Sequence, residues 1–202
     1  MAHEGLWEQL VGLDGYKTAQ RAKCQYLTNP ERYVVTMLKT KYIVNPSDRE
    51  ISSVQLDSLP AEAGFLEQLC LLAYLINAQD LPLANKLVRA EALSGGQFFF
   101  RGIHSLPTEK LEQAFGEHPE ALHQIAEKFG AKPREFGDAS IQLYVLPRIP
   151  LTVVVWRGDE EFRARASILF DQTAAAHLPL DALLAAVNIA VDALVEASAA
   201  GN

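Results

Sequence analysis

Ile141-Gln142-Leu143-Tyr144-Val145, then Leu151-Thr152-Val153-Val154-Val155-Trp156, then Phe162-Arg163-Ala164-Arg165-Ala166-Ser167-Ile168-Leu169-Phe170 is the stretch that decides the fold. From Ala139 apolar residues fall at every second position, the pattern of a strand with one face buried. Leu146-Pro147-Arg148-Ile149-Pro150 interrupts it, because a proline nitrogen cannot donate to a ladder. In the third segment Phe162, Ala164, Ala166, Ile168 and Phe170 face one way and Arg163, Arg165 and Ser167 the other. Three such segments in succession predict an antiparallel meander. Pro179 opens a closing helix whose Leu180, Leu183, Leu184, Val187, Val191 and Leu194 recur at helical spacing and would cover the apolar face of the sheet.

Upstream the pattern is helical. A helix is expected from Pro60 to about Asn77, apolar around most of its circumference and so central to the fold. Leu83 to Leu93 reads equally as helix or strand. Two short helices, Pro107 to Phe115 and Pro119 to Phe129, are followed by Gly116 and Gly130 where a left-handed residue closes a helix. Nearer the amino terminus, Leu6 to about Arg21 reads as one amphipathic helix. Tyr33 to Asn45 reads as a hairpin about Lys39-Thr40, or as one helix plus one strand, and the turn Pro46-Ser47-Asp48 stops it. The expectation is a single α+β domain: residues 1–59 a helix and an N-terminal hairpin, 60–138 a helical part, 139–202 the C-terminal antiparallel meander and its helix.

The chain has 202 residues, 49 % of them hydrophobic, enough to bury about 70 % of its unfolded surface without disulfides or metals. A net charge of -7 with no long run of one sign argues against nucleic acid and anionic membranes. Cys24 and Cys70 form neither a redox pair nor a zinc set. No export signal is visible, and the longest apolar run, Leu69 to Ile76, is far shorter than the ~20 residues that span a bilayer. A cytoplasmic protein is expected.

Several residues are candidates for chemistry. Asp159, Glu160 and Glu161 sit in the turn after Trp156, and Asp171 ends the third strand. If Val155 pairs with Phe162, Gly158-Asp159 forms a tight hairpin and Trp156 shares a face with Glu161. The carboxylates then either bind a divalent metal through oxygen ligands, act as acid and base, or are simply solvated. Arg148, held between two prolines, suits a ligand carboxylate or an internal ion pair with Asp138 or Asp159. Phe98, Phe99 and Phe100 cannot all point inward, so one is free to line a cavity or wedge two layers, with Arg101 beside them. His104 and His177 each precede a Leu and a Pro at a helix start, suiting axial ligation, acid–base work or a local hydrogen bond. Gly95-Gly96 and Arg101-Gly102 match no nucleotide-binding fingerprint.

Leu146-Pro147-Arg148-Ile149-Pro150-Leu151, Trp156-x-Gly158-Asp159-Glu160-Glu161-Phe162 and Ser167-Ile168-Leu169-Phe170-Asp171 together resemble the family catalogued as domain of unknown function 3786. Gly95-Gly96-x-x-Phe99, Phe115-Gly116 and His177-Leu178-Pro179 extend the resemblance from about Pro60 onward. It implies an origin in anaerobic bacteria or archaea. It also implies a redox or tetrapyrrole-related setting, since some members are joined to a cysteine-rich iron–sulfur module. This chain lacks those cysteines, so an iron–sulfur or corrinoid protein would be a partner. The family transfers no catalytic residues.

Three functions follow as expectations. The first is a protein that binds a small molecule or cofactor, such as a tetrapyrrole, through Trp156, Phe99, Arg148, Arg101 and His104 or His177. The second is a metal-dependent enzyme built on Asp159, Glu160, Glu161 and Asp171. The third is an accessory module that docks the iron–sulfur or corrinoid partner through an apolar patch.

Overall fold

The computed structural model describes residues 3–54 and 60–200. It is an α+β fold with two antiparallel five-stranded sheets and a helical layer between and beside them. The chain starts with α1 (Glu4–Val11) and α2 (Gly15–Ala22), not one helix. The Asp14 carboxylate accepts the Lys17 amide and so caps α2. Trp7 and Leu10 are buried from α1, and Ala19 and Ala22 from α2.

The first sheet runs in chain order: β1 (Gln25–Thr28), β2 (Glu31–Met37), β3 (Thr40–Asn45), β4 (Glu50–Val54) and β5 (Ala61–Glu62). The expected hairpin is β2–β3. Its turn is Leu38-Lys39, both at positive φ, and Met37 pairs with Thr40. β1, β4 and β5 are additions to it. Tyr33, Val35, Met37, Tyr42, Val44 and Ile51 supply its buried face.

The central helix α3 (Phe65–Asn77) starts five residues later than Pro60 suggests, because Ala61 pairs with Ser53 and holds the chain extended. Glu67 closes its first turn by accepting the Gly64 amide at 2.7 Å. Cys70 to Leu75 are buried, whereas Phe65 and Leu66 are exposed, so its apolar ring is open at the start. The ambiguous segment after it becomes β6 (Leu87–Val88) and a 3-10 turn, Ala90–Ala92. Next come α4 (Gly96–Phe99), a second 3-10 turn at Gly102–His104, α5 (Thr108–Phe115) and α6 (Ala121–Glu127). Gly130 has φ +69, as expected, but Gly116 has an ordinary helical φ of -68. Proximity is what demands glycine at 116, since a Cβ there would lie 2.4 Å from that of Ala164.

The second sheet has the order β6–β10–β9–β8–β7, with β7 (Lys132–Arg134), β8 (Ala139–Leu146), β9 (Ile149–Trp156) and β10 (Arg165–Asp171). The expected meander is β8–β9–β10. Its first turn is tight, only Pro147-Arg148, and Pro150 is already in the ladder opposite Tyr144. The second connection is longer than expected: Trp156 pairs with Arg165, leaving residues 157–164 as a loop in place of a two-residue turn. Ile141, Leu143, Leu151, Val153, Ile168 and Phe170 form the buried face. After α7 (Ala174–His177), α8 (Leu180–Ala199) closes the fold. α8 packs chiefly on α3 and, more lightly, on α5, α6 and β8, so it reaches the sheet mainly through other helices. It is the one helix, among the described residues, long and apolar enough to cross a membrane, but here Ala182, Leu183, Ala186, Val187, Ala190, Val191 and Leu194 lie in the core.

Candidate functional site

A cleft of about 350 Å³ opens where β6 ends beside β10. β6 pairs only with Phe170 and Asp171, after which Arg89 turns away into the 3-10 turn. The first half of β10 therefore forms the wall of the cleft. Arg89, Ala90 and Glu91 line one side, Ser105, Leu106 and Thr108 another, and Phe100 closes the bottom. Trp156, Arg165, Ala166, Ser167 and Ile168 complete it. Arg165 and Ser167 lie on the sheet face of Trp156, while Ala166 and Ile168 lie on the opposite, buried face. The cleft thus looks onto the edge of the strand itself.

The chemistry of this lining is specific. Two guanidinium groups stand near one carboxylate, Glu91, and neither Arg89 nor Arg165 is ion-paired among the described residues. The hydroxyls of Ser105, Thr108 and Ser167 add donors, and Trp156, 40 % exposed, presents part of its indole. Planar, always-charged arginine favours carboxylate or phosphate, and an indole face favours a flat apolar group.

Gly95 and Gly96 shape the same corner. Gly95 has φ +76, and a Cβ on Gly96 would fall 1.9 Å from the Ala90 carbonyl oxygen. The pair lets the Ala90 turn approach α4 closely and seat Phe100 against Phe170, with ring centroids 6.1 Å apart.

Of the residues singled out from sequence, Trp156 and Phe100 line this cleft. Phe99 and His104 stack on each other, centroids 4.6 Å apart and 2° from parallel, and Arg101 lies over Phe98. They belong to the neighbouring loop, where Phe98 is 79 % and Ile103 94 % exposed.

Arg148, Asp171 and His177 gather elsewhere, in a buried polar cluster. Arg148 donates through Nε to the Arg21 carbonyl at 2.6 Å, and through its two terminal nitrogens to the Leu81 carbonyl at 2.7 Å and Asp80 Oδ1 at 2.8 Å. Its ion-pair partner is therefore Asp80, not Asp138 or Asp159, and all three guanidinium nitrogens are engaged inside the protein. Burial opposes ionisation of Asp171, but the Thr173 hydroxyl and amide and the Ala84 amide outweigh it and keep its pKa below the usual carboxylate value. His177 Nδ1 accepts the Gln79 amide at 3.3 Å, and Nε2 has no partner among the described residues. Burial, then the positive charge of Arg148, lowers the pKa of His177.

The acidic triplet occupies the exposed 157–164 loop. Asp159 Oδ1 accepts the amides of Glu161 and Phe162, forming a turn, and the Gly158 amide donates to the Gly116 carbonyl. Trp156 and Glu161 do not share a strand face, because the hairpin that would align them does not form. Among the described residues no three His, Cys, Asp or Glu side chains converge as metal ligands, so Asp159, Glu160, Glu161 and Asp171 do not form one site.

A second hollow of about 340 Å³ lies between the first sheet and α8, but inside it the Tyr42 hydroxyl already donates to Glu67 at 2.6 Å. The cleft at β10 has the larger unsatisfied polar capacity. Arg89, Arg165, Ser105 and Thr108 carry no sequence motif and escape sequence reasoning. The alternation of β10 was the available signal, since it sets Arg165 and Ser167 opposite the apolar face.

Over residues 14–193 the sequence matches the family described as Domain of unknown function (DUF3786). No curated protein and no solved structure matches the chain.

Proposed function

The chain belongs to the DUF3786 family, and from that premise we propose that it is a cytoplasmic small-molecule-binding protein of an anaerobe, whose ligand is flat in part and carries a carboxylate or phosphate. The observation that carries this reading is the pair Arg89 and Arg165, without internal partners among the described residues, beside the exposed indole of Trp156 in one cleft. Its volume sits at the small end of the ~300–1,000 Å³ typical of ligand pockets. That size, with His177 buried and His104 stacked on Phe99, favours a small planar anion over an axially ligated tetrapyrrole.

The test is titration calorimetry, because the probe's own indole would mask the emission of Trp156. Indole-3-acetate should bind saturably, and the neutral indole-3-acetamide should bind at least about tenfold more weakly, one charge-assisted contact being lost. Arg165→Ala should remove the difference. Equal binding of acid and amide, or no binding of either at millimolar concentration, sinks the reading.

A second reading has its own support. The exposed Phe98 and Ile103, with Arg101 between them, suit docking of a partner protein, for which an iron–sulfur or corrinoid protein is the candidate. Paired Phe98→Ser and Ile103→Ser changes should leave cleft binding intact and abolish association with such a partner. Unaltered association removes this surface from consideration.

A further inference from the structure

We infer that the ligand of the β10 cleft is a free aromatic α-amino acid, held as a zwitterion. This rests on the reading of the cleft as an anion site and names the class of molecule that fills it. The charges around the cleft point to it. Arg89 and Arg165 supply two positive charges, and Glu91 is the one acidic residue of the lining among the described residues. A second carboxylate stands behind the wall: Glu112 Oε1 accepts the amide of Ala166 at 3.0 Å, and Ala166 lines the cleft. Among the described residues none of these four side chains is in an ion pair. Two guanidinium groups are thus matched by two carboxylates, and the cleft is close to neutral as a whole.

A site that is neutral but bipolar discriminates among anions. A phosphate monoester carries about -1.5 to -2 charge at pH 7 and would leave net negative charge beside Glu91 and Glu112. A simple carboxylate would satisfy the arginines and be repelled by Glu91. A ligand that adds an ammonium to its carboxylate brings no net charge and gives Glu91 an opposite partner as well.

The register of the sheet places the flat group. Trp156 and Arg165 are direct cross-strand partners, so an indole and a guanidinium stand side by side on one face. Phe100, 6 % exposed, closes the bottom. Arg89 precedes the 3-10 turn that carries Glu91, so a positive and a negative side chain reach the cleft from one short segment. That pairing suits a carboxylate and an ammonium borne on one carbon atom. The aromatic ring would lie against Trp156 and Phe100, the carboxylate at the two arginines and the ammonium at Glu91.

Titration calorimetry of the unaltered protein compares L-phenylalanine with 3-phenylpropanoate, which lacks the ammonium, and 2-phenylethylamine, which lacks the carboxylate. L-Phenylalanine should bind saturably, and each of the other two at least about tenfold more weakly, one charge-assisted contact being lost in each. Glu91→Gln should remove the preference for L-phenylalanine over 3-phenylpropanoate, and Arg165→Ala the preference over 2-phenylethylamine. If 3-phenylpropanoate or indole-3-acetate binds at least as tightly as L-phenylalanine, or the first preference survives Glu91→Gln, the amino-acid proposal is overturned and the anion site stands. If 2-phenylethylamine binds as tightly as L-phenylalanine, the arginines take no part and both are overturned. If L-phenylalanine, 3-phenylpropanoate and indole-3-acetate all fail to bind at millimolar concentration, both fall together.

Discussion

Arg148 shows how a residue that looks like a ligand contact from sequence becomes structural once its surroundings are known. It is 2 % exposed and donates to two carbonyl oxygens, on Arg21 and Leu81. Asp80 is largely exposed, so that ion pair adds little. Arg148→Ala should cost about 3 kcal/mol, a fall of about 6–12 °C in Tm, because charge-assisted bonds to two carbonyls are lost. Asp80→Ala should cost less than about 1 kcal/mol. Calorimetry of the two variants compares them directly. His177 makes stability depend on pH. Its folded pKa lies below that of the unfolded ring, near 6.5, so the unfolded chain takes up a proton that the folded one refuses. Stability is therefore full above about pH 6.5 and falls as the solution becomes more acid, until the folded ring also titrates. Urea midpoints measured from pH 7.5 to 5 should decline in the parent and decline less in His177→Gln. A parallel decline would assign the effect to other groups. The thiols are inert for a related reason: burial pushes both Cys24 and Cys70 up to about 12, leaving negligible thiolate at pH 8. A thiol–disulfide reagent should label neither in the folded protein and both in urea.

At the scale of elements, long periodic segments were legible and short ones were not. β8, β9, β10 and α8 carry their own hydrophobic pattern, so their type follows from sequence. β1, β4, β5, β6 and β7 have two to five residues each and exist because a neighbour offers a ladder, as when Ser53 draws Ala61 into β5. Pro60 is a fair signal for a helix start, yet that pairing overrides it and α3 begins at Phe65. Asp14 likewise divides one amphipathic pattern into two helices by capping the second. The connection between β9 and β10 is not legible in the sequence, because a two-residue turn satisfies the pattern as well as an eight-residue loop does. What selects the loop is the docking of Gly158 on Gly116. Gly116→Ala would drive a methyl to 2.4 Å from Ala164 and should destabilise by about 1–3 kcal/mol, with a change in Trp156 emission as the loop moves. Unchanged emission would show that the loop yields without disturbing the cleft.

Across the whole molecule the amino-terminal helices and first sheet are tied to the rest of the fold by specific bonds as well as by packing. The Leu38 amide donates to the Val145 carbonyl, the Tyr74 hydroxyl to the Ala22 carbonyl, and Arg148 to the Arg21 carbonyl. Each tryptophan reports on one sheet's neighbourhood: Trp7 lies in α1, and Trp156 ends β9. Denaturant titrations of Trp7→Phe and Trp156→Phe should give coincident transitions, since one core serves both sheets. Separated transitions would mean that the first sheet opens independently. The same scale explains why, of the cleft, Trp156 and Phe100 stand out in the sequence while its polar residues do not. Arg89, the Ser105–Thr108 stretch and Arg165 come from three segments that only the tertiary fold assembles. The bond from Arg148 to the Arg21 carbonyl has a further consequence during synthesis. On a ribosome adding about 5–20 residues per second, the amino-terminal helices emerge on the order of ten seconds before the arginine that anchors them is made. Until then the Arg21 carbonyl has α3 beside it but not its guanidinium donor, and the Pro147-Arg148 turn is the moment at which that bond becomes available.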